Sequence, residues 1–216
     1  MSPLWLSVQV AFTALLAIIL VGLTIIYLLK RYAFRGKSLV DSLLTLPLVL
    51  PPVVVGFALL ILFSPAYSFG SWLGHNGITV VFSRTGAVIA SAVIAFPLFY
   101  QTVRAALDSV DPAIEDVART LGASELRIFI TISLPLAWRG VLAGSMLAFS
   151  RALGEFGATI LIAGNIPGVT RTMPLAIYSS VEAGNYDAAL TFVLYICTLT
   201  LSLLWSVHLL TQGDLF

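Results

Sequence analysis

The first apolar run limits this chain most. Residues 4–29 contain no charged side chain. A helix crosses the hydrocarbon core of a bilayer with about 20 mostly apolar residues, so this run can span. It also far exceeds the roughly 7–15-residue apolar core of a cleavable leader, and no basic segment precedes it. It is therefore expected to be a retained membrane span. Four further apolar runs follow at residues 42–63, 86–103, 140–163 and 188–207. The third is slightly short but extendable, and the fourth contains Arg151 and Glu155. Composition agrees, with 59% hydrophobic and 10% charged residues in 216, where soluble domains carry about 25% charged residues. The expectation is an all-α polytopic membrane protein, a single transmembrane domain over residues 1–216 with five spans.

The basic residues suggest an orientation. Lys30, Arg31, Arg35 and Lys37 crowd the first connection, and Arg104, Arg119, Arg127 and Arg139 mark the third. The second holds only Arg84 and the fourth only Arg171. The positive-inside rule then makes the first and third connections cytoplasmic, with the N-terminus outside and the C-terminus inside. Several functions are excluded. The charges are too few and scattered for a nucleic-acid face. The single cysteine, Cys197, forms no intrachain disulfide and reads as a packing residue. His75, in an outer connection, and His208, at the inner end of the last run, do not form a metal pair. No GxxxxGK[ST] phosphate loop is present, so ATP is not bound that way by this chain.

The third connection is a polar insert, residues 111–135. Asp111 suits a helix N-cap and Pro112 the first helical position. Ile114, Val117, Ala118 and Leu121 fall at i, i+3, i+4 and i+7, one helical face. Gly122 stands at a natural stop, and Ser124 starts a second short helix that Leu134-Pro135 ends. Such an amphipathic helix either packs on the bilayer surface or slots into a groove on a partner.

Unusual residues also lie within the apolar runs. Pro47, Pro51, Pro52 and Gly56 open the second one. Interior prolines remove backbone hydrogen bonds, and disrupted backbone at membrane depth survives where protein or a water-filled cavity surrounds it. This predicts a kinked helix, either lining a pathway or kinked for structural reasons; Pro97 in the third run is open to both readings. Arg151 and Glu155 are four apart, so one helical face can hold both. Intramembrane charges normally pair and face the bundle interior. Their Arg-then-Glu order is the weaker one for a local pair, which makes partners on another helix or subunit plausible. The alternatives are a switchable pair at a gate or dimer interface, a static interhelical lock, or Arg151 as a direct oxyanion ligand. Gly140 and Gly144 permit close helix approach, expected within the subunit. Residues 164–187 exceed a simple turn. Their middle, 174–181, fits a short helix dipping into the outer leaflet. Thr170, Arg171 and Thr172 offer hydroxyls and a cation to an oxyanion, or belong to a solvated connection.

Glu115, Ala118, Gly122 and the ending Ile132-x-Leu134-Pro135 resemble the cytoplasmic loop signature of ABC-importer membrane subunits, with Asp116 and Val117 in place of its two alanines. The segments FRGKSLVDSLLTLPLVLPPVVVGFALL (34–60), VARTLGASELRIFITISLPL (117–136), RALGEFGATI (151–160) and NIPGVTRTMPLAIY (165–178) extend the likeness over nearly the whole chain. Together they resemble the permease subunits of molybdate ABC transporters, with tungstate and sulfate permeases as alternatives. The resemblance implies a type I importer permease fold in the inner (plasma) membrane. It implies two copies forming the pathway at their interface and two separate ATPase subunits that bind ATP and Mg. A periplasmic or lipid-anchored binding protein would deliver the anion. The chain itself would be non-catalytic and hold no cofactor. Its loop, about residues 108–135, would be the coupling element, with Glu115, Ala118, Arg119, Leu121 and Gly122 at the contact and Arg119 facing the ATPase. The ending TQGDLF carries no regulatory domain, so feedback inhibition there is not expected. A carrier or channel acting alone is the runner-up, but no ion relay or internal repeat supports it. An intramembrane enzyme lacks a catalytic pair.

Overall fold

The computed structural model describes residues 2–32 and 34–212, with side chains through Ser206. The His208 side chain and residues 213–216 of the ending lie outside the described residues. Every regular element among the described residues is helical. Helix α1 (Pro3–Arg31) starts on Ser2, whose Oγ accepts from Trp5 N at 3.4 Å, with Pro3 at its first position. It packs with α5 (Arg84–Asp108) and α9 (Trp138–Leu153) around Ile18, Phe99, Tyr100, Val103, Ala148 and Leu153. Small residues set how close these helices come. A Cβ on Gly140 would lie 2.1 Å from Ala106 Cβ, and one on Gly144 3.0 Å from Val103. The Gly140–Gly144 pair thus serves packing within the chain. α5 covers the third apolar run and extends it at both ends.

The second run is not one kinked helix. It divides into α2 (Lys37–Val49) and α3 (Pro52–Phe63), bent by 115°. A residue before proline is pushed out of the α region, and here two such residues are adjacent. Leu50 (φ −73°, ψ 142°) and Pro51 (φ −54°, ψ 132°) are both extended. Pro51 and Pro52 also lack the amide donors a continuous helix would need. Pro47, by contrast, stays inside α2. The connection from α3 to α5 carries the short α4 (Ser68–His75).

The fourth run is broken too. α9 stops at Gly154, and α10 (Gly157–Ala163) begins after Phe156 (φ −129°, ψ −55°). Before α9 comes a polar segment: α6 (Pro112–Thr120), α7 (Glu125–Ile128), a π-helical turn (Phe129–Ser133) and α8 (Leu134–Leu136). The Leu134-Pro135 stop expected from sequence is therefore one residue early. The wider π turn absorbs the missing proline donor, with Leu134 N bonding back to Phe129 O. The helical segment Glu125–Leu136 then bends by 77° into α9 at Ala137. The expected helix at 174–181 is α11 (Met173–Glu182), which packs on α1 and α12 (Tyr186–Gln212). α12 presents only one side to α9 and α11, so Cys197 is exposed on it and not packed as expected. Among the described residues three helices, α1, α5 and α12, are long and apolar enough to cross a membrane, or up to five spans if each bent pair counts as one.

Candidate functional site

The polar segment between α5 and α9 is built from local rules. Asp111 Oδ1 accepts from Ala113 N at 2.9 Å and caps α6. At the other end Ala123 N bonds to Ala118 O and Gly122 N to Arg119 O, each at 3.0 Å. This pair of hydrogen bonds is the Schellman closure, and it needs a left-handed residue at Gly122, whose φ is +83°. The face expected to hold Ile114, Val117, Ala118 and Leu121 divides in two. Ala118 turns inward beside Glu115, while Ile114, Val117 and Leu121 form an exposed apolar ridge, Leu121 being 83% exposed.

Glu115 is the anchor. It is 5% exposed and accepts from Lys30 Nζ at 2.6 Å and Ser133 Oγ at 2.8 Å, with Arg119 at 3.4 Å. Burial pushes its carboxyl up, but the bonds from Lys30 and Ser133 and the charges of Lys30 and Arg119 outweigh that, leaving it below the usual carboxylate range. Its side chain thus ties α6 to the last turn of α1 and to the π turn, where Tyr27 and Phe129 rings pack at 5.2 Å. Arg119 is knitted into the loop by Glu125 (2.8 Å) and Asp116 (2.6 Å), and hydrogen bonds to those two carboxylates, Glu125 first, raise its pKa further. Lys30 and Ser133 are the residues that sequence reasoning missed. Lys30 had registered only as one of four basic residues marking topology.

Arg151 and Glu155 pair with each other. Arg151 Nη1 lies 2.8 Å from Glu155 Oε2, and the Glu155 side chain is 1% exposed. The local pair forms despite the unfavourable order because the helix has already broken at Gly154, which frees Glu155 from helical geometry. Its other oxygen accepts from Ala158 N at 2.8 Å and so holds the start of α10. α10 packs on α3 with almost nothing between them. A Cβ on Gly56 would sit 2.6 Å from Ala158 Cα, and one on Gly157 3.1 Å from Pro52 Cβ. Pro51 and Pro52 thus flank this contact, while Pro47 lies one turn earlier and lines a groove that Phe96 shares.

The 165–172 loop is closed on itself. Thr170 Oγ1 accepts from Ile166 N at 2.9 Å and donates to Gly164 O at 3.3 Å. Arg171 Nε donates to Asn165 Oδ1 at 2.9 Å, and Asn165 Nδ2 to Ser179 Oγ at 2.6 Å. Thr170 and Thr172 are buried. Ser7 of α1 accepts from Met173 N at 2.7 Å, and Arg84 of α5 donates to Val169 O at 3.1 Å, so the loop is pinned from two sides. These two anchors were not foreseen.

Comparison with known proteins places this geometry. A family profile described as binding-protein-dependent transport system inner membrane component matches residues 18–213. The molybdenum transport system permease protein ModB of Escherichia coli (strain K12) is 47% identical over 204 residues, 93% of this chain and 89% of that protein. ModB of Haemophilus influenzae is 46% identical over 182 residues, 84% of this chain and 80% of that protein. Among solved structures, the inward-facing MetNI methionine ABC transporter superposes with a TM-score of 0.75 at 16% identity, covering 97% of this chain and 93% of that one. The fold is that of a type I ABC importer permease. The chain belongs to the family of binding-protein-dependent transport system inner membrane components.

Proposed function

We propose that this chain is the membrane-spanning subunit of an ATP-driven molybdate importer. Two copies would form the pathway, two ATPase subunits would dock on the 108–135 loops, and a separate binding protein would deliver the anion. The chain would sit as one domain in the inner membrane, N-terminus outside, and leave ATP chemistry to the ATPase. The observation that carries the reading is the ridge of Ile114, Val117 and Leu121, exposed on a helix whose opposite side is ion-paired to α1. Fully burying an exposed aliphatic side chain contributes about 1.5–3 kcal/mol, and Leu121, the most exposed of the three, gains the largest share in a partner's groove. Glu115 would pass the resulting push to α1 through Lys30 and to the π turn that leads into α9 through Ser133. The choice of molybdate follows the relatives.

The test is ATP hydrolysis by the complex in liposomes, with molybdate, tungstate or sulfate added in turn. Molybdate stimulation at the lowest concentration supports the reading. Stimulation by another anion instead corrects the substrate, and failure to assemble with any ATPase overturns the class. Gly122→Val should uncouple the complex. A β-branched residue at φ +83° is strained by roughly 1–2 kcal/mol, although there is open space around the position. The expected result is a several-fold fall in molybdate imported per ATP hydrolysed, measured on the same liposomes. Normal uptake in this variant would remove Gly122 from the coupling contact.

A further inference from the structure

α2 carries a polar stripe that the chain covers only in part, leaving Ser38 and Ser42 exposed. Ser38, Asp41, Ser42 and Thr45 fall at i, i+3, i+4 and i+7, and no residue of α2 is buried. The stripe lies against α5. Asp41 is ion-paired to Arg104 at 2.6 Å and accepts a hydrogen bond from Tyr100, which in turn accepts from Arg104 at 2.9 Å. Higher up, Leu43, Leu44 and Pro47 share an apolar groove with Ala92, Val93 and Phe96. α2 therefore climbs along α5 from near its Asp108 end to its middle, the inner half of the membrane in the proposed orientation. Between the two helices is an open cleft of about 390 Å³ whose polar lining is Ser38, Ser42, Thr45, Gln101 and Arg104, with two carboxylates, Asp41 and Asp108, beside the guanidinium.

Polar and charged groups at this depth are tolerated where they face protein or water, not acyl chains. The chain's own helices do not supply that cover, since Ser42 and Gln101 are exposed. We propose that this α2–α5 wall lines the inner half of the oxyanion's route and that Arg104 is the cation the anion meets there. The inference rests on oxyanion import by this chain. The chemistry fits a tetrahedral dianion. A guanidinium binds paired oxygens, whether of a carboxylate or of an oxyanion. Arg104 uses Nη1 for Asp41 and Tyr100 and lies 3.7 Å from Asp108 through Nε, leaving Nη2 without a partner among the described residues. An anion at Arg104 competes with Asp41 for the same group. That competition keeps binding weak, as an exit requires, because Asp41 retakes the guanidinium when the anion leaves.

The experiment uses the assembled complex carrying Cys197→Ser, with Ser42→Cys, Gln101→Cys or Leu43→Cys added singly. A negatively charged, membrane-impermeant thiol reagent is applied from the ATPase side. Ser42→Cys and Gln101→Cys should react at least ten-fold faster than Leu43→Cys, which lies on the apolar side of α2 in the groove with Phe96, and reaction should block molybdate uptake. Arg104→Gln should lower uptake at least ten-fold, and Arg104→Lys should restore part of it. Equal reactivity at Ser42→Cys and Leu43→Cys overturns the wall, as does full uptake by Arg104→Gln. If Arg104→Gln does not assemble, the cysteine contrast still decides. If the unsubstituted complex imports no oxyanion, the functional reading fails, while the labelling contrast still reports whether the wall is wet.

Discussion

Gly56→Val should destabilise the folded subunit more than any single change elsewhere in α3. The added Cβ would be 2.6 Å from Ala158 Cα and 2.8 Å from Ala158 O. Both are backbone atoms and cannot rotate aside, so α3 and α10 must part. Overpacking of this kind costs about 1–3 kcal/mol, occasionally more, and the upper end applies where backbone meets backbone. The separation would also open the close approach at Gly157, where an added Cβ would lie 3.1 Å from Pro52 Cβ and 3.3 Å from Val53. The check is the thermal midpoint and monodisperse yield of the purified subunit in detergent. Gly56→Ala should show a smaller loss of the same kind. Gly74→Ala, with nothing within 4 Å of the new Cβ, should behave as wild type. Equal stability of Gly56→Val and Gly74→Ala would show that the two half-helices are not in close contact.

Arg151→Ala is the second large effect. It leaves Glu155, with a side chain 1% exposed, holding only the Ala158 N–H. Removing one partner of a buried ion pair typically costs about 3–5 kcal/mol, because the remaining charge is stranded. The expected outcome is a strong fall in folded yield. Arg151→Ala combined with Glu155→Gln should recover most of it, since the glutamine oxygen still accepts from Ala158 N and no charge is left behind. Recovery by the double variant separates a stranded charge from lost arginine packing. Wild-type yield for Arg151→Ala alone would show the pair to be dispensable.

What was legible in the sequence was local. Asp111, Pro112 and Gly122 announce the ends of α6 because capping depends on residues within one turn of each other. The helix at 173–182 was visible for the same reason, with Pro174 near its start and Gly184 beyond its end. The two breaks were harder to read. A proline marks a disturbance, but only the pairing of Pro51 with Pro52 turns a kink into a 115° bend. The break at Gly154 was hidden because residues 140–163 contain no proline and no charge apart from Arg151 and Glu155. Periodicity told which side chains share a face but not which face is covered, so Ala118 was grouped with the exposed ridge. Partners distant along the chain were out of reach. Lys30 meets Glu115 across 85 positions, and Tyr100 meets Asp41 across 59. Only the packing of α1, α2 and α5 brings them together.

The backbone contact between α3 and α10 has a mechanical consequence. With no side chain between them to act as a cushion, the two half-helices form one stiff body. Each is joined to its other half through a short non-helical bridge, Leu50–Pro51 on one side and Gly154–Phe156 on the other. Rotation of the inner halves must then be taken up at both bridges together, like a pair of knees sharing one shin. A stiffer residue at either bridge should therefore slow the movement of both.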